Sequence, residues 1–67
     1  MIKMLKIIIT PTTLVFCELS DLLYKKLTNE YNLKLEFVKD DYQIKADTKK
    51  LYKILLTLSN DFDIELI

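Results

Sequence analysis

The chain has 67 residues, 51% of them hydrophobic, and its ten Lys/Arg and ten Asp/Glu residues give a formal net charge of zero. This length predicts a single domain over residues 1–67, and the apolar content excludes a disordered segment, which lacks the side chains needed to offset chain entropy. The charge balance excludes the basic excess that nucleic-acid binders use to neutralise phosphates, so no nucleic-acid partner is expected.

The first predicted elements are a strand and a helix. Residues 3–9 (K-M-L-K-I-I-I) alternate, which places Leu5, Ile7 and Ile9 on one face of a strand. Pro11 stops this strand, and Thr12 or Thr13 is positioned to cap a helix. From residue 13 to about residue 31, the spacing of apolar residues predicts that helix, with an apolar arc formed by Val15, Phe16, Leu19, Leu22, Leu23 and Leu27.

Three strands and a second helix are predicted in the rest of the chain. Residues 32–39 and 42–46 alternate as two strands, joined by a tight turn at residues 38–41 in which Asp tolerates left-handed geometry. Residues 48–59 predict the second helix, with Asp47 at its N-cap and a stripe of Leu51, Ile54, Leu55 and Leu58. Residues 62–67 alternate again and predict the last strand.

The order of these elements, β-α-β-β-α-β, predicts an α+β fold. Because each element has one apolar side, two helices should cover one face of a four-stranded antiparallel sheet. The expected architecture is therefore a two-layer open-faced sandwich, whose uncovered face includes Met4, Ile8 and Val38.

The inventory of reactive side chains argues against an enzyme. The chain has no His and no Gly, and its single Cys17 is expected within the first helix, where packing is favoured over catalysis. The Asp40–Asp41 pair reads as a solvated turn, and Asp61, Asp63 and Glu65 read as solvated carboxylates. No cofactor and no metal are expected.

The cysteine count and the hydropathy pattern indicate the cellular compartment. A single Cys cannot form an internal disulfide, which fits a reducing cytoplasm. No stretch reaches the roughly 18 apolar residues of a membrane span, and the N-terminal apolar run is broken at residues 10–13, against a signal peptide. A cytoplasmic protein without a membrane partner is expected.

Several segments resemble the histidine-containing phosphocarrier proteins (HPr) of the sugar phosphotransferase system. Residues 11–15 (P-T-T-L-V) are similar to the segment that opens the first helix of that family. Residues 32–45 are similar to its central hairpin, Asp47 falls near the serine that caps its second helix, and residues 60–66 are similar to its fourth strand. The active-site histidine has no counterpart here, so the resemblance implies a domain that cannot carry phosphate on histidine.

The resemblance also implies a surface for protein partners. In the family, partners contact the start of the first helix and the second helix, which here correspond to Thr12, Phe16, Asp47, Lys50 and Leu51, flanked by Tyr52 and Leu56. Tyr52 and Leu56 widen the apolar arc of the second helix and predict either an exposed patch or the rim of a buried helix. Asp47 could mimic a phosphorylated serine, although helix capping explains it as well.

Two functions remain open at this point. The first is a regulatory or protein-binding module related to the phosphotransferase system, which predicts the sheet order 1-4-2-3; an order of 4-1-3-2 would argue against it. The second is an unrelated small interaction protein, such as a phage- or plasmid-encoded inhibitor or a subunit that forms homodimers through the open face. A monomer and a homodimer are both compatible with the sequence.

Overall fold

The computed structural model describes residues 4–67, so Lys3 of the first predicted strand lies outside the described residues. Five strands and two helices follow one another as β1 (Met4–Ile9), β2 (Thr13–Cys17), α1 (Asp21–Asn29), β3 (Glu36–Val38), β4 (Asp41–Lys45), α2 (Thr48–Ser59) and β5 (Asp63–Leu66). The predicted α+β class with two helices and an open sheet is confirmed. The prediction of four strands is wrong, because β2 had been assigned to the first helix.

The sheet is mixed, with the strand order β3-β4-β2-β1-β5. Three pairs of strands are antiparallel, and β1 with β5 is parallel. The parallel pair arises because α2 carries the chain from β4 across the sheet to β5, and a crossover connection of this kind joins parallel strands. The prediction of an antiparallel sheet is therefore wrong at this edge.

The sheet order also differs from the order 1-4-2-3 that the phosphocarrier resemblance predicts. If β2 is set aside, the four predicted strands lie in the order 4-1-3-2, with the last strand at the edge beside the first. In the order 1-4-2-3 the last strand would lie inside the sheet. The difference determines which strand offers an unpaired edge.

Residues 13–17 form a strand because their alternation matches the neighbours on both sides. Leu14 lies between Ile9 of β1 and Ile44 of β4, and Phe16 lies between Ile7 and Tyr42 in the same way. T-L-V-F-C is also rich in β-branched and aromatic residues, which favour strands. The turn before it closes with the Thr10 amide donating to the Thr13 carbonyl at 3.0 Å, so the threonines close a hairpin and do not cap a helix.

Helix α1 begins eight residues later than predicted. Glu18 has a φ of 55° and interrupts the extended chain, and the Ser20 hydroxyl then accepts the Leu23 amide at 3.2 Å as the N-cap. In the shorter helix Leu22 points into solvent and is 79% exposed, although the predicted apolar arc included it. Only Leu27 of α1 is fully buried.

The hairpin and α2 follow the prediction. Val38 pairs with Asp41, and Lys39 and Asp40 both have positive φ angles (51° and 68°), as a two-residue turn of the hairpin type requires. Asp47 caps α2 by accepting the Lys50 amide at 2.8 Å. Strand β3 is shorter than predicted, since residues 32–35 form no ladder, yet Leu33 and Leu35 still pack on the core.

The core lies between the helices and one face of the sheet. Its fully buried members come from β1, β2, β4, both helices and the turn before β5: Leu5, Ile7, Leu14, Phe16, Ile44, Leu27, Leu51, Leu58 and Phe62. The strand residues among them alternate, so they share one face. Neither helix of the described residues 4–67 covers the opposite face.

Candidate interaction surface

The seven residues predicted to contact partners do not form one surface. Phe16 and Leu51 are each 1% exposed and belong to the core, so neither contacts a partner while the domain is folded. Phe16 lies there because it belongs to a central strand. The other five are exposed, and they divide between the start of α2 and its two flanks.

The start of α2 is fixed to the hairpin between β1 and β2. The Thr48 hydroxyl donates to the Pro11 carbonyl at 2.6 Å, and the Ala46 amide donates to the Thr12 carbonyl at 3.1 Å. Together with the Asp47 cap, these bonds set the position of the first turn of α2. Thr12 and Asp47 thus have structural roles at this end.

Lys50 lies on one flank of α2. With Lys53, Ile54 and the loop residues Tyr31 and Leu33, it lines a groove of about 270 Å³. The Tyr31 hydroxyl donates to the Asp61 carboxylate, and this hydrogen bond raises the pKa of Tyr31. The groove has an apolar floor with two lysines beside it.

Tyr52 and Leu56 lie on the other flank, one helical turn apart. They are 55% and 68% exposed, so the expectation of an exposed patch describes them better than the rim of a buried helix. Tyr52 lines a second groove, of about 260 Å³, together with Ile9, Pro11 and Thr48. An exposed Leu–aromatic pair at this spacing forms a continuous apolar strip along a helix.

The last strand carries a further exposed apolar residue. Leu66 pairs with Ile7, so it lies on the helix-covered face, yet it is 56% exposed because β5 is an edge strand. We call Tyr52, Leu56 and Leu66 the apolar margin.

The outer edge of β5 has no strand partner among residues 4–67. The Ile67 amide donates to the Ile7 carbonyl at 2.9 Å, towards β1. Because successive residues of a strand direct their backbone groups to opposite sides, the amides and carbonyls of Ile64 and Leu66 point away from β1. Leu66 therefore borders a row of unpaired backbone groups.

The open face of the sheet is mixed in character. Met4 and Ile8 are exposed there, and Val38 is half-buried. Lys6 forms an ion pair with Glu18 at 2.9 Å, and their hydrogen bond raises the pKa of Lys6 and lowers the pKa of Glu18. Asp63 and Glu65 project from β5 on this face, and Glu65 lies opposite Lys6.

Cys17 lies on β2 at this face, so the prediction that it lies within the first helix is wrong. Burial raises the pKa of its thiol, the Asp41 and Glu18 carboxylates raise it further, and Lys6 opposes them. A raised pKa reduces the thiolate fraction, which is the nucleophilic form. This environment disfavours a reactive thiol.

Within residues 4–67, no group of three His, Cys, Asp or Glu side chains is arranged to hold a metal ion. Neither described helix has the length and apolar character to cross a membrane. Comparison of the chain with protein-family models, with curated proteins and with solved structures finds no match.

Sequence reasoning missed the edge of β5. The alternation in residues 62–67 placed Leu66 on the covered face and the carboxylates on the open face, and the register agrees. The alternation of a strand does not say how many neighbours the strand has. The pairing of β5 with β1 alone is what leaves Leu66 exposed at the edge of the sheet.

Proposed function

We propose that this domain is a non-catalytic protein-binding module that contacts its partner through the apolar margin. The observation that carries the proposal is the exposure of Tyr52 and Leu56 on α2, together with that of Leu66 on the unpaired edge strand β5. Contiguous exposed apolar surface is costly in water and is typical of sites that a partner covers. Tyr is also among the residues enriched at binding hot spots.

The residue inventory supports binding over catalysis. The chain has no histidine, and its one cysteine has a raised pKa. General acid–base chemistry near neutral pH depends on groups whose pKa values lie close to 7. Binding through an apolar margin requires none of these groups.

Capture experiments test the proposal with a matched control. The immobilised chain is exposed to a lysate of the cells that encode it, as wild type, as the double variant Tyr52→Ser with Leu56→Ser, and as Leu22→Ser. Leu22 is an equally exposed leucine on α1. We expect the wild type and Leu22→Ser to retain the same protein and the double variant to lose it.

A photoreactive phenylalanine analogue gives the direct readout. Placed at position 56, it should crosslink to the captured protein, and placed at position 22 it should not. Retention of the protein by the double variant, with equal crosslinking from both positions, would contradict the proposal. Urea denaturation confirms that each variant is folded.

The order of the strands favours the second function expected from the sequence, an interaction protein unrelated to the phosphocarriers. The phosphocarrier relationship stays a separate prediction. It predicts that the chain binds the general phosphotransferase enzyme without accepting phosphate. Titration calorimetry with that enzyme tests it, and a lack of binding would remove this version while leaving the binding module intact.

A further inference from the structure

The unpaired edge of β5 specifies the chemistry of its occupant. We infer that this edge takes an extended basic segment of a partner protein as a sixth strand, in which cationic and apolar residues alternate. The inference rests on the proposed function, since it names the class of partner that the apolar margin would bind.

The outer backbone groups of β5 are positioned to pair with another strand. The amides and carbonyls of Ile64 and Leu66 point outward from the sheet, while Ile67 bonds to β1. These outward groups match the spacing of another strand. Addition of a strand to such an edge is a recurrent mode of peptide recognition, in which the backbone gives affinity and alternate side chains give specificity.

The side chains at the β5 edge differ between the two faces of the sheet. On the helix-covered side, an incoming strand meets Leu66, which is exposed and apolar. On the open side it meets the carboxylates of Asp63 and Glu65, both exposed. Asp63 has no ion pair among the described residues, and Glu65 shares Lys6 with Glu18.

Alternation in the occupant follows from these two faces. Because successive side chains of a strand project to opposite sides, the occupant must place apolar residues beside Leu66 and cations beside the carboxylates. Opposite charges on neighbouring strands stabilise their pairing, and like charges destabilise it. A Lys- or Arg-bearing strand fits this edge, and an acidic strand does not.

A second copy of the chain fits less well. Two β5 strands related by a two-fold axis would keep their open faces on the same side of a continuous sheet. Asp63 and Glu65 of both copies would then meet on that face as four carboxylates. Like charges across a strand pair oppose this arrangement, so the charge pattern favours a basic partner over a homodimer.

The opposite edge, at β3, also has an exposed apolar residue, Phe37, and an exposed carboxylate, Glu36, but it differs from β5 in length and in its flanking charges. Strand β3 has only three residues, and Lys34 and Lys39 stand just outside its two ends. Short edge strands and edge lysines are features that discourage strand addition. The two edges therefore differ in length and in charge, and β5 is the receptive one.

Two short capped peptides test the proposal against the purified chain. One alternates Lys and Val, and the other alternates Glu and Val. Backbone amide shifts are followed by NMR during titration. We expect the Lys–Val peptide to shift resonances of β5 and to bind at least about fourfold more tightly than the Glu–Val peptide, from two cross-strand charge pairs.

Variants at Leu66 isolate the backbone contribution. Leu66→Pro removes an amide that points outward and so leaves the bonds to β1 intact, and proline is tolerated at such edge positions. Leu66→Ala removes the side chain and keeps the amide. We expect Leu66→Pro to bind the Lys–Val peptide about threefold to tenfold more weakly than Leu66→Ala, the effect of one hydrogen bond.

Charge reversal distinguishes specific cross-strand pairing from nonspecific peptide binding. The double variant Asp63→Lys with Glu65→Lys should prefer the Glu–Val peptide to the Lys–Val peptide. Equal binding of both peptides by the wild type, or shifts confined to β3, would overturn the inference. If the peptides fail while the variant of Tyr52 and Leu56 still loses its captured protein, the proposed function stands and only the strand-addition inference falls.

Discussion

The middle of the sheet and its margins carry the same kinds of apolar side chain, but these side chains are buried in the middle and exposed at the margins. One row of residues crosses all five strands on the helix-covered face, in the order Leu66, Ile7, Phe16, Tyr42 and Phe37. Ile7 and Phe16 in the middle are buried, whereas Leu66 and Phe37 at the ends are 56% and 62% exposed. Burial here depends on position under the helices and not on residue type.

The two margins also differ from each other. At the β3 margin, Phe37 packs on Tyr42 with ring centroids 5.2 Å apart, and Tyr42 packs on Tyr24 of α1 at 4.6 Å. Aromatic contacts therefore fill part of that margin. At the β5 margin, Leu66 lies beside unpaired backbone groups. In the proposed binding mode, β5 is the margin that a partner completes.

The largest expected effect is on the free energy of unfolding, when two phenylalanines of this row are replaced by alanine. Phe16→Ala should lower the free energy of unfolding by about 3–5 kcal/mol, the range for a buried aromatic. Phe37→Ala should cost about 1 kcal/mol, because the ring is largely exposed and loses mainly its contact with Tyr42. Urea denaturation measures both.

A chain of this length has a total stability of about 3–10 kcal/mol, so Phe16→Ala could leave much of the population unfolded. Phe16→Leu provides a milder variant for comparison. Equal costs at positions 16 and 37 would contradict the distinction between the middle and the margins.

The helix that covers the middle depends on its cap. Asp47→Ala should lower the free energy of unfolding by about 1 kcal/mol, since the Lys50 amide loses its acceptor. Asp47→Asn keeps a side-chain oxygen and should cost much less. Thermal unfolding followed by circular dichroism distinguishes them, and a larger loss for Asn than for Ala would argue against a capping role.

The thiol at the middle of the open face should react slowly. Because burial and the Asp41 and Glu18 carboxylates raise the pKa of Cys17, its thiolate should form at a higher pH than that of a free cysteine. The rate of alkylation by iodoacetamide, measured against pH, gives this midpoint. Asp41→Asn should move it downward, and a midpoint below that of free cysteine would exclude the described environment.

The smallest effect is expected at the exposed pair of Lys6 and Glu18. The pKa of Glu18 is lowered, so its stabilising contribution is present above its unfolded pKa and fades as the pH falls through the folded value. The pKa of Lys6 is raised, so its contribution is present below its unfolded pKa and fades as the pH rises through the folded value. Exposed pairs contribute little.

Near neutral pH, replacement of both partners by Gln should therefore leave the urea midpoint unchanged within error. The midpoint should also stay constant between pH 6 and 8. A clear loss of stability in either measurement would show that the open face is more tightly organised than the exposed geometry of this pair implies.

The sequence predicted the parts of the fold that depend on local signals. Asp47 and the stripe of α2 were identified because a cap and a 3.6-residue period coincide there, and the turn at residues 38–41 because Asp tolerates positive φ. The alternation of β1, β4 and β5 assigned their faces correctly. These are properties of single elements.

The failures occurred where local signals conflicted or were silent. In residues 13–17, Val15 and Phe16 fit a helical arc together with Leu19 and Leu22, but the β-branched and aromatic composition favours a strand, and pairing with β1 and β4 decides the outcome. Phe16 was therefore expected at a surface and lies in the core. Strand order was also outside the reach of local patterns, so the β5 edge could not be anticipated.

Amide hydrogen exchange across β5, followed by NMR, tests the central claim most directly. If β5 is an edge strand paired with β1 alone, the amides of Glu65 and Ile67 should be protected, whereas those of Ile64 and Leu66 should exchange at nearly unprotected rates. Protection of all four amides would place β5 between two strands, remove the open edge and contradict the proposed binding mode.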